Sequence, residues 1–150
     1  MIFIRPFQFE RADWWAEVCD LLRRHGEGAK VIAGGQSLMP LVNLGLVQPE
    51  VVLDISRGAA GPNIAVTDGF LTVGAQMTRA RLAADPLAAS AQPPLGAAVQ
   101  KMGNPRVRNC GTLGGYLVHS EPAAEILASI HRPIPVARFR SDSCPRCFPG

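Results

Sequence analysis

Two glycine-rich turns constrain this chain more than any other feature: Ala33-Gly34-Gly35-Gln36-Ser37-Leu38 and Gly111-Thr112-Leu113-Gly114-Gly115. Each adjoins an apolar, strand-like stretch, and each is expected to expose several backbone N–H groups with no side chain in the way. A glycine pair lets the main chain adopt positive φ and touch a ligand directly. Successive N–H groups in such a turn form a concave nest for an anion such as a phosphate, and a helix starting just beyond adds its positive end. One such turn is commonplace. Two in a chain of 150 residues predict contacts on opposite sides of a dinucleotide, and a length that holds one compact domain or two small lobes.

The segments around the turns are read from periodicity. Phe7-Gln8-Phe9 alternates as a short strand would. From Asp13 to His25, the residues Trp15, Val18, Cys19 and Leu22 fall on one helical face, with Asp13 as the expected N-cap and Gly26 as the stop. Val31-Ile32-Ala33 reads as a buried strand, Leu38 to Leu44 as a short helical stretch, and Val51-Val52-Leu53-Asp54 as a second buried strand. Ile64–Thr67 and Phe70–Gly74 flank Asp68-Gly69, a hairpin signature. Thr78 caps a short helix through Leu82 and Ala83, Pro94 opens a helix from Leu95 to Met102, and Pro122 opens another running to about Ile130. The expected division is residues 1–55 as a small first lobe, 56–130 as a second lobe, and 131–150 as an irregular basic tail.

Charge excludes one class of function. Residues 1–130 carry eleven Lys/Arg and eleven Asp/Glu, so the excess of +3 comes from Arg132, Arg138, Arg140 and Arg146 against Asp142. A short basic, proline-rich end is a solvated tail and not a folded nucleic-acid face. Cys144-Pro145-Arg146-Cys147 has C-x-x-C spacing but no second pair or histidine partner. The four cysteines, Cys19 and Cys110 included, are therefore expected to carry neither a bond nor a metal. No apolar run approaches the roughly 20 residues of a membrane span, and the first residues lack a secretory pattern. A cytoplasmic protein is expected.

Glycines at the end of a strand, with Asp54 about twenty residues on, imitate a Rossmann site. The spacing fails: G-x-G-x-x-G from Gly34 would need glycines where Gln36 and Met39 stand. No lysine follows the turn, so the P-loop fails too. Asp54 is then a strand-end turn residue.

The flanks of the two turns carry a more specific pattern. Ala33-Gly34-Gly35-Gln36-Ser37-Leu38-Met39-Pro40 followed by Val52-Leu53-Asp54-Ile55 resembles the N-terminal lobe of the FAD-binding (medium) subunit of molybdenum hydroxylases. Arg106-Val107-Arg108-Asn109-Cys110-Gly111-Thr112-Leu113-Gly114-Gly115, with His119 and Glu121-Pro122-Ala123-Ala124-Glu125, resembles that subunit's second flavin loop. The pattern is similar to medium subunits of the carbon monoxide dehydrogenase type and to the same domain in xanthine dehydrogenase. It runs from about Phe7 to Ala128.

The resemblance implies an α+β fold of the vanillyl-alcohol-oxidase (PCMH) type, with FAD held between two lobes. It implies that Ala33, Gly34, Gly35, Gln36, Ser37 and Leu38 cradle the diphosphate. Thr112, Leu113, Gly114, Gly115 and Tyr116 would approach the diphosphate and adjoining sugars, and Glu125 would hydrogen-bond the cofactor. No catalytic acid, base or nucleophile and no metal ligand is assigned, because the flavin carries the redox chemistry. The implied partners are a molybdenum-binding large subunit and a [2Fe-2S] small subunit, with electrons passing from the clusters through FAD to an acceptor.

Two departures stand out: Tyr116 replaces a small polar residue, where a phenol would crowd or stack near the cofactor, and Glu121 replaces an aspartate before Pro122. His119, Arg106 and Arg108 read as structural or solvated side chains. The family subunit is nearly twice as long, and its pattern gives way after about Ala128 to an Arg/Pro/Cys-rich end. The expectation is a truncated or frameshifted subunit lacking the third lobe. The other reading is a non-catalytic remnant or interaction protein that keeps the lobe without the cofactor.

Overall fold

The computed structural model describes residues 4–57 and 63–120. These fall into two compact units, one in each stretch.

In the first unit, β1 (Gln8–Arg11), β2 (Ala29–Ile32) and β3 (Val51–Asp54) form a parallel sheet in the order β1-β3-β2. Gln8, Val51 and Ala29 share one row, and Arg11, Asp54 and Ile32 share another. A central parallel strand is covered on both faces and so reads as an unbroken apolar run. Val51, Val52 and Leu53 accordingly are at most 3% exposed. The expected buried strand Val31-Ile32-Ala33 is corrected. It begins earlier, at Ala29, and lies at the sheet edge, where only Ala29 is buried and Val31 is exposed.

The helix α1 (Trp15–His25) buries Val18, Cys19 and Leu21, while Trp15 and Leu22 pack partly buried against the same core with Ala29, Val51 and Leu53. Its cap is Trp14 and not the expected Asp13. The Glu17 carboxylate of the first turn reaches back past the cap and accepts the Asp13 N–H at 3.0 Å. Gly26, at φ +55°, ends α1 and donates its N–H to the Leu22 carbonyl. Cys19 is disulfide-bonded, against the expectation that the cysteines carry no bond. Cys110 is free and exposed, and Cys144 and Cys147 lie outside the described residues. After β2 the chain turns through residues 33–37 into α2 (Leu38–Asn43).

Asp54 closes β3 as a turn residue. Its Oδ1 accepts the Ser56 N–H at 2.8 Å and its Oδ2 accepts Arg11 Nε at 3.1 Å. Burial alone would raise this carboxyl, but the Ser56 amide and hydroxyl and the Arg11 guanidinium outweigh it and hold the pKa below the usual carboxylate value. An acid whose folded pKa is depressed adds stability that is present above its unfolded pKa and is lost as pH falls through the folded one. Asp54→Asn should therefore cost about 1 kcal/mol at pH 7. Its deficit should shrink as pH falls below about 4, measured by urea melts across pH 2.5–7.

In the second unit, β4 (Ile64–Thr67) and β5 (Phe70–Val73) pair as an antiparallel hairpin, Ile64 opposite Val73. Asp68 (φ +53°) and Gly69 (φ +77°) both take positive φ, the type I′ geometry that matches strand twist. Five helices follow: α3 (Arg79–Ala84), α4 (Pro86–Ala91), α5 (Pro93–Lys101), α6 (Pro105–Cys110) and α7 (Leu113–His119).

Four of these helices begin on a side-chain cap. Thr78 Oγ1 accepts from Arg81, Asp85 Oδ1 from Leu87 and Ala88, Asn104 Oδ1 from Val107, and Thr112 Oγ1 from Gly115. Pro86 and Pro105 occupy first helical positions, where no N–H is missed. Leu71, Val73, Met77, Leu82, Leu95, Val99 and Leu113 form the core. The helix expected after Pro122 and the basic tail lie outside the described residues. Among the described residues no helix is long and apolar enough to cross a membrane.

Candidate functional site

The first glycine turn leaves β2 at Ile32 and enters α2 at Leu38. Ala33 packs against the first unit's core, and residues 33 to 38 are all half-buried. The chain reverses at Gly35, with φ +67°, where an added Cβ would lie 3.1 Å from Ile32 Cδ1. Two hydrogen bonds fix the shape: Gln36 Nε2 donates to the Gly34 carbonyl at 3.2 Å, and the Met39 N–H donates to the Gly35 carbonyl at 3.1 Å.

The donors of this turn point to its chemistry. None of the N–H groups of Gly34, Gly35, Gln36, Ser37 and Leu38 donates to another described residue. The Ser37 hydroxyl makes no cap bond either, although Ser37 occupies the cap position of α2. Half-buried backbone donors are normally paired. Five in succession, with a hydroxyl beside them, are a donor set that an anion with several acceptor oxygens can satisfy. A flavin diphosphate fits that donor set.

The second turn is built differently, and the expectation that it also exposes several N–H groups is corrected. Leu113 donates to the Met77 carbonyl at 2.9 Å, Gly114 to the Ala75 carbonyl at 2.9 Å, Gly115 to Thr112 Oγ1 at 3.1 Å, and Tyr116 to the Thr112 carbonyl at 3.1 Å. The glycines here serve close packing. A Cβ on Gly114 would lie 2.8 Å from Ala75 Cβ and 2.9 Å from Ala75 O, and one on Gly111 would lie 2.8 Å from the Val107 carbonyl oxygen. Gly114 and Gly115 form the first turn of α7, which sequence periodicity does not reveal.

Beneath this turn lies Arg79, only 7% exposed. Its N–H donates to the Gly111 carbonyl at 3.1 Å, and Thr78 pairs with Thr112 in an isolated antiparallel bridge. Its Nη2 reaches the Val107 carbonyl at 3.4 Å, and its guanidinium carbon stands 5.5 Å from the centre of the Tyr116 ring. Nε is buried without an acceptor. Burial lowers the pKa of Arg79 from its ordinary value; Tyr116 opposes that and the Arg108 charge adds to it. In sequence, an arginine in the first turn of a short helix reads as a surface residue, so nothing there marks Arg79.

Of the residues singled out from sequence, Ala33, Gly34, Gly35, Gln36, Ser37 and Leu38 belong to one turn of the first unit. Thr112, Leu113, Gly114, Gly115 and Tyr116 belong to one turn of the second. The Tyr116 side chain packs against the second unit's core as well as against Arg79. Glu125 lies outside the described residues.

The chain is similar to known proteins in sequence and fold. Residues 5–131 match the family described as the FAD binding domain in molybdopterin dehydrogenase. The chain is 37% identical over 120 residues to the 6-hydroxypseudooxynicotine dehydrogenase complex subunit alpha of Paenarthrobacter nicotinovorans, covering 80% of this chain and 40% of that protein. It is 33% identical over 116 residues to the carbon monoxide dehydrogenase medium chain of Hydrogenophaga pseudoflava, covering 77% and 40%. The structure resembles quinoline 2-oxidoreductase from Pseudomonas putida 86 with a TM-score of 0.78 and 34% identity, covering 83% of this chain and 44% of that one. The chain thus spans about 40% of the length of the curated relatives it matches. The match over residues 5–131 takes in both glycine turns, and the chain belongs to the family of FAD binding domains in molybdopterin dehydrogenases.

Proposed function

We propose that this chain is the FAD-holding part of a molybdenum hydroxylase-type complex in the cytoplasm. The observation that carries the reading is the run of five N–H groups from Gly34 to Leu38 that have no partner among the described residues, in a chain of an FAD-binding family. On this reading the Ala33–Leu38 turn, within a first lobe of residues 1–55, receives the diphosphate, with the Ser37 hydroxyl as a further donor. Thr112, Leu113, Gly114, Gly115, Tyr116 and Glu125, within a second lobe of residues 56–130, complete the cofactor's surroundings. The engaged N–H groups of the second turn support, on this reading, a shaping role in which its donors are not lent to the cofactor.

Bound there, FAD supplies the redox chemistry that carries electrons from iron–sulfur clusters to an acceptor. The partners on this reading are a molybdenum-binding large subunit and a [2Fe-2S] small subunit. The names of the relatives support this, one being a subunit of a dehydrogenase complex and another the medium chain of carbon monoxide dehydrogenase.

Titrating the full chain with FAD tests the proposal, followed by flavin fluorescence and by absorbance after gel filtration. The expected result is a yellow protein that saturates at one flavin per chain. A chain that stays colourless after incubation with excess FAD overturns it.

A further inference from the structure

We propose that Arg79 is a buried counter-charge for a phosphate-bearing ligand at the Gly111–Gly115 turn, a positioning residue that acts through the turn. This rests on the reading above, in which the Gly111–Gly115 turn belongs to the flavin's surroundings.

An interior cation is costly unless an anion lies beside it. Arg79 is 93% buried by its exposure of 7%, yet no carboxylate among the described residues forms an ion pair with it. The charge acting on it from nearby, that of Arg108, has its own sign. Its one acceptor, the Val107 carbonyl at 3.4 Å, already takes the Gly111 N–H at 2.8 Å. Val107 therefore does not need the guanidinium, and Nε has no acceptor among the described residues. The face of Tyr116 offers attraction to a cation but no neutralising charge.

A methionine would fill the same space without the penalty. What the arginine adds is a positive centre directly under Gly111, where the surrounding protein screens charge less than water does. It is too enclosed to grip a ligand itself, so its influence reaches an anion as a field. Tyr116 follows from the same arrangement: its ring packs over the guanidinium, which gives this departure from the family pattern a place in the second unit.

The test compares the full-length wild type with Arg79→Met and Arg79→Lys, using FAD titration and thermal melts with and without inorganic pyrophosphate. Without ligand, R79M should melt at or above wild type, because an uncompensated cation is gone and Val107 keeps the Gly111 N–H. Its FAD affinity should fall about tenfold, and the stabilisation that pyrophosphate gives wild type should disappear. R79K, which keeps the charge, should retain most of both. An R79M chain that melts lower than wild type, or that binds FAD as tightly, overturns the inference. A wild type that takes up no FAD overturns the functional reading instead. Pyrophosphate stabilisation seen in wild type and absent from R79M would then still uphold the role of Arg79.

Discussion

Gly35→Val is expected to weaken flavin binding by at least a hundredfold, about 3 kcal/mol, while leaving most of the fold in place. Gly35 sits at φ +67°, a conformation that a β-branched residue adopts only under strain. The new side chain would also start 3.1 Å from Ile32 Cδ1 and 3.5 Å from Met39 Cγ. Relief requires the backbone of the turn to rotate, and the five N–H groups of Gly34 to Leu38 rotate with it. Equilibrium fluorescence titration measures the affinity, and circular dichroism checks the fold. Gly69→Ala serves as the control. It too stands at positive φ, +77°, but nothing lies within 4 Å, so it should cost about 1 kcal/mol of stability and leave flavin affinity unchanged. Unaltered flavin stoichiometry and affinity in G35V would remove the first turn from the cofactor site.

Gly114→Val should act on stability. Its Cβ would stand 2.8 Å from Ala75 Cβ and 2.9 Å from Ala75 O, the same oxygen that accepts the Gly114 N–H. Neither atom belongs to a flexible side-chain end, so the start of α7 must move off the turn at Ala75. Overpacking of this kind costs about 2–3 kcal/mol and should lower the melting temperature by about 10 °C. The apo protein should show the full effect in a thermal melt. At Gly115, by contrast, the one close atom is Thr112 Oγ1 at 2.9 Å, so Gly115→Ala should cost less. A G114V protein that melts with wild type would contradict the packing role given to that glycine.

What could be read in the sequence, and what could not, follows from the range of the interactions involved. The Asp68-Gly69 hairpin, the Thr78 cap, the Gly26 stop and the central strand Val51–Asp54 are all set by residues within a few positions of each other, and all appear as expected. Two helix starts, Asp85-Pro86 and Asn104-Pro105, carried equally local signals, an N-cap followed by a first-position proline, and were missed. Those helices are six residues long, too short for apolar periodicity to announce them.

The misreadings concern partners distant in sequence. Val31 is exposed because β2 has a neighbour on one side only. The cap of α1 is a local exception: Trp14, next to the expected Asp13, takes the extended cap conformation. The turn at Gly111–Gly115 looks like the first in sequence, yet its donors are used by Met77, Ala75 and Thr112. Glycine composition alone does not tell an open cradle from a tight crossing of two backbones. Arg79 was invisible for the same reason, since its burial is imposed by Gly111, Val107 and Tyr116, roughly thirty residues away.

The order β1-β3-β2 has a consequence for how the first unit comes into being. The outer strands do not touch each other; both wait for the one that is translated last. Until Val51–Asp54 has left the ribosome, the nascent chain owns two helices and two solitary ribbons, and a parallel sheet offers no hairpin along which they could zip early. A protein cut before residue 51 would carry every glycine of the first turn and no platform to hold them in shape.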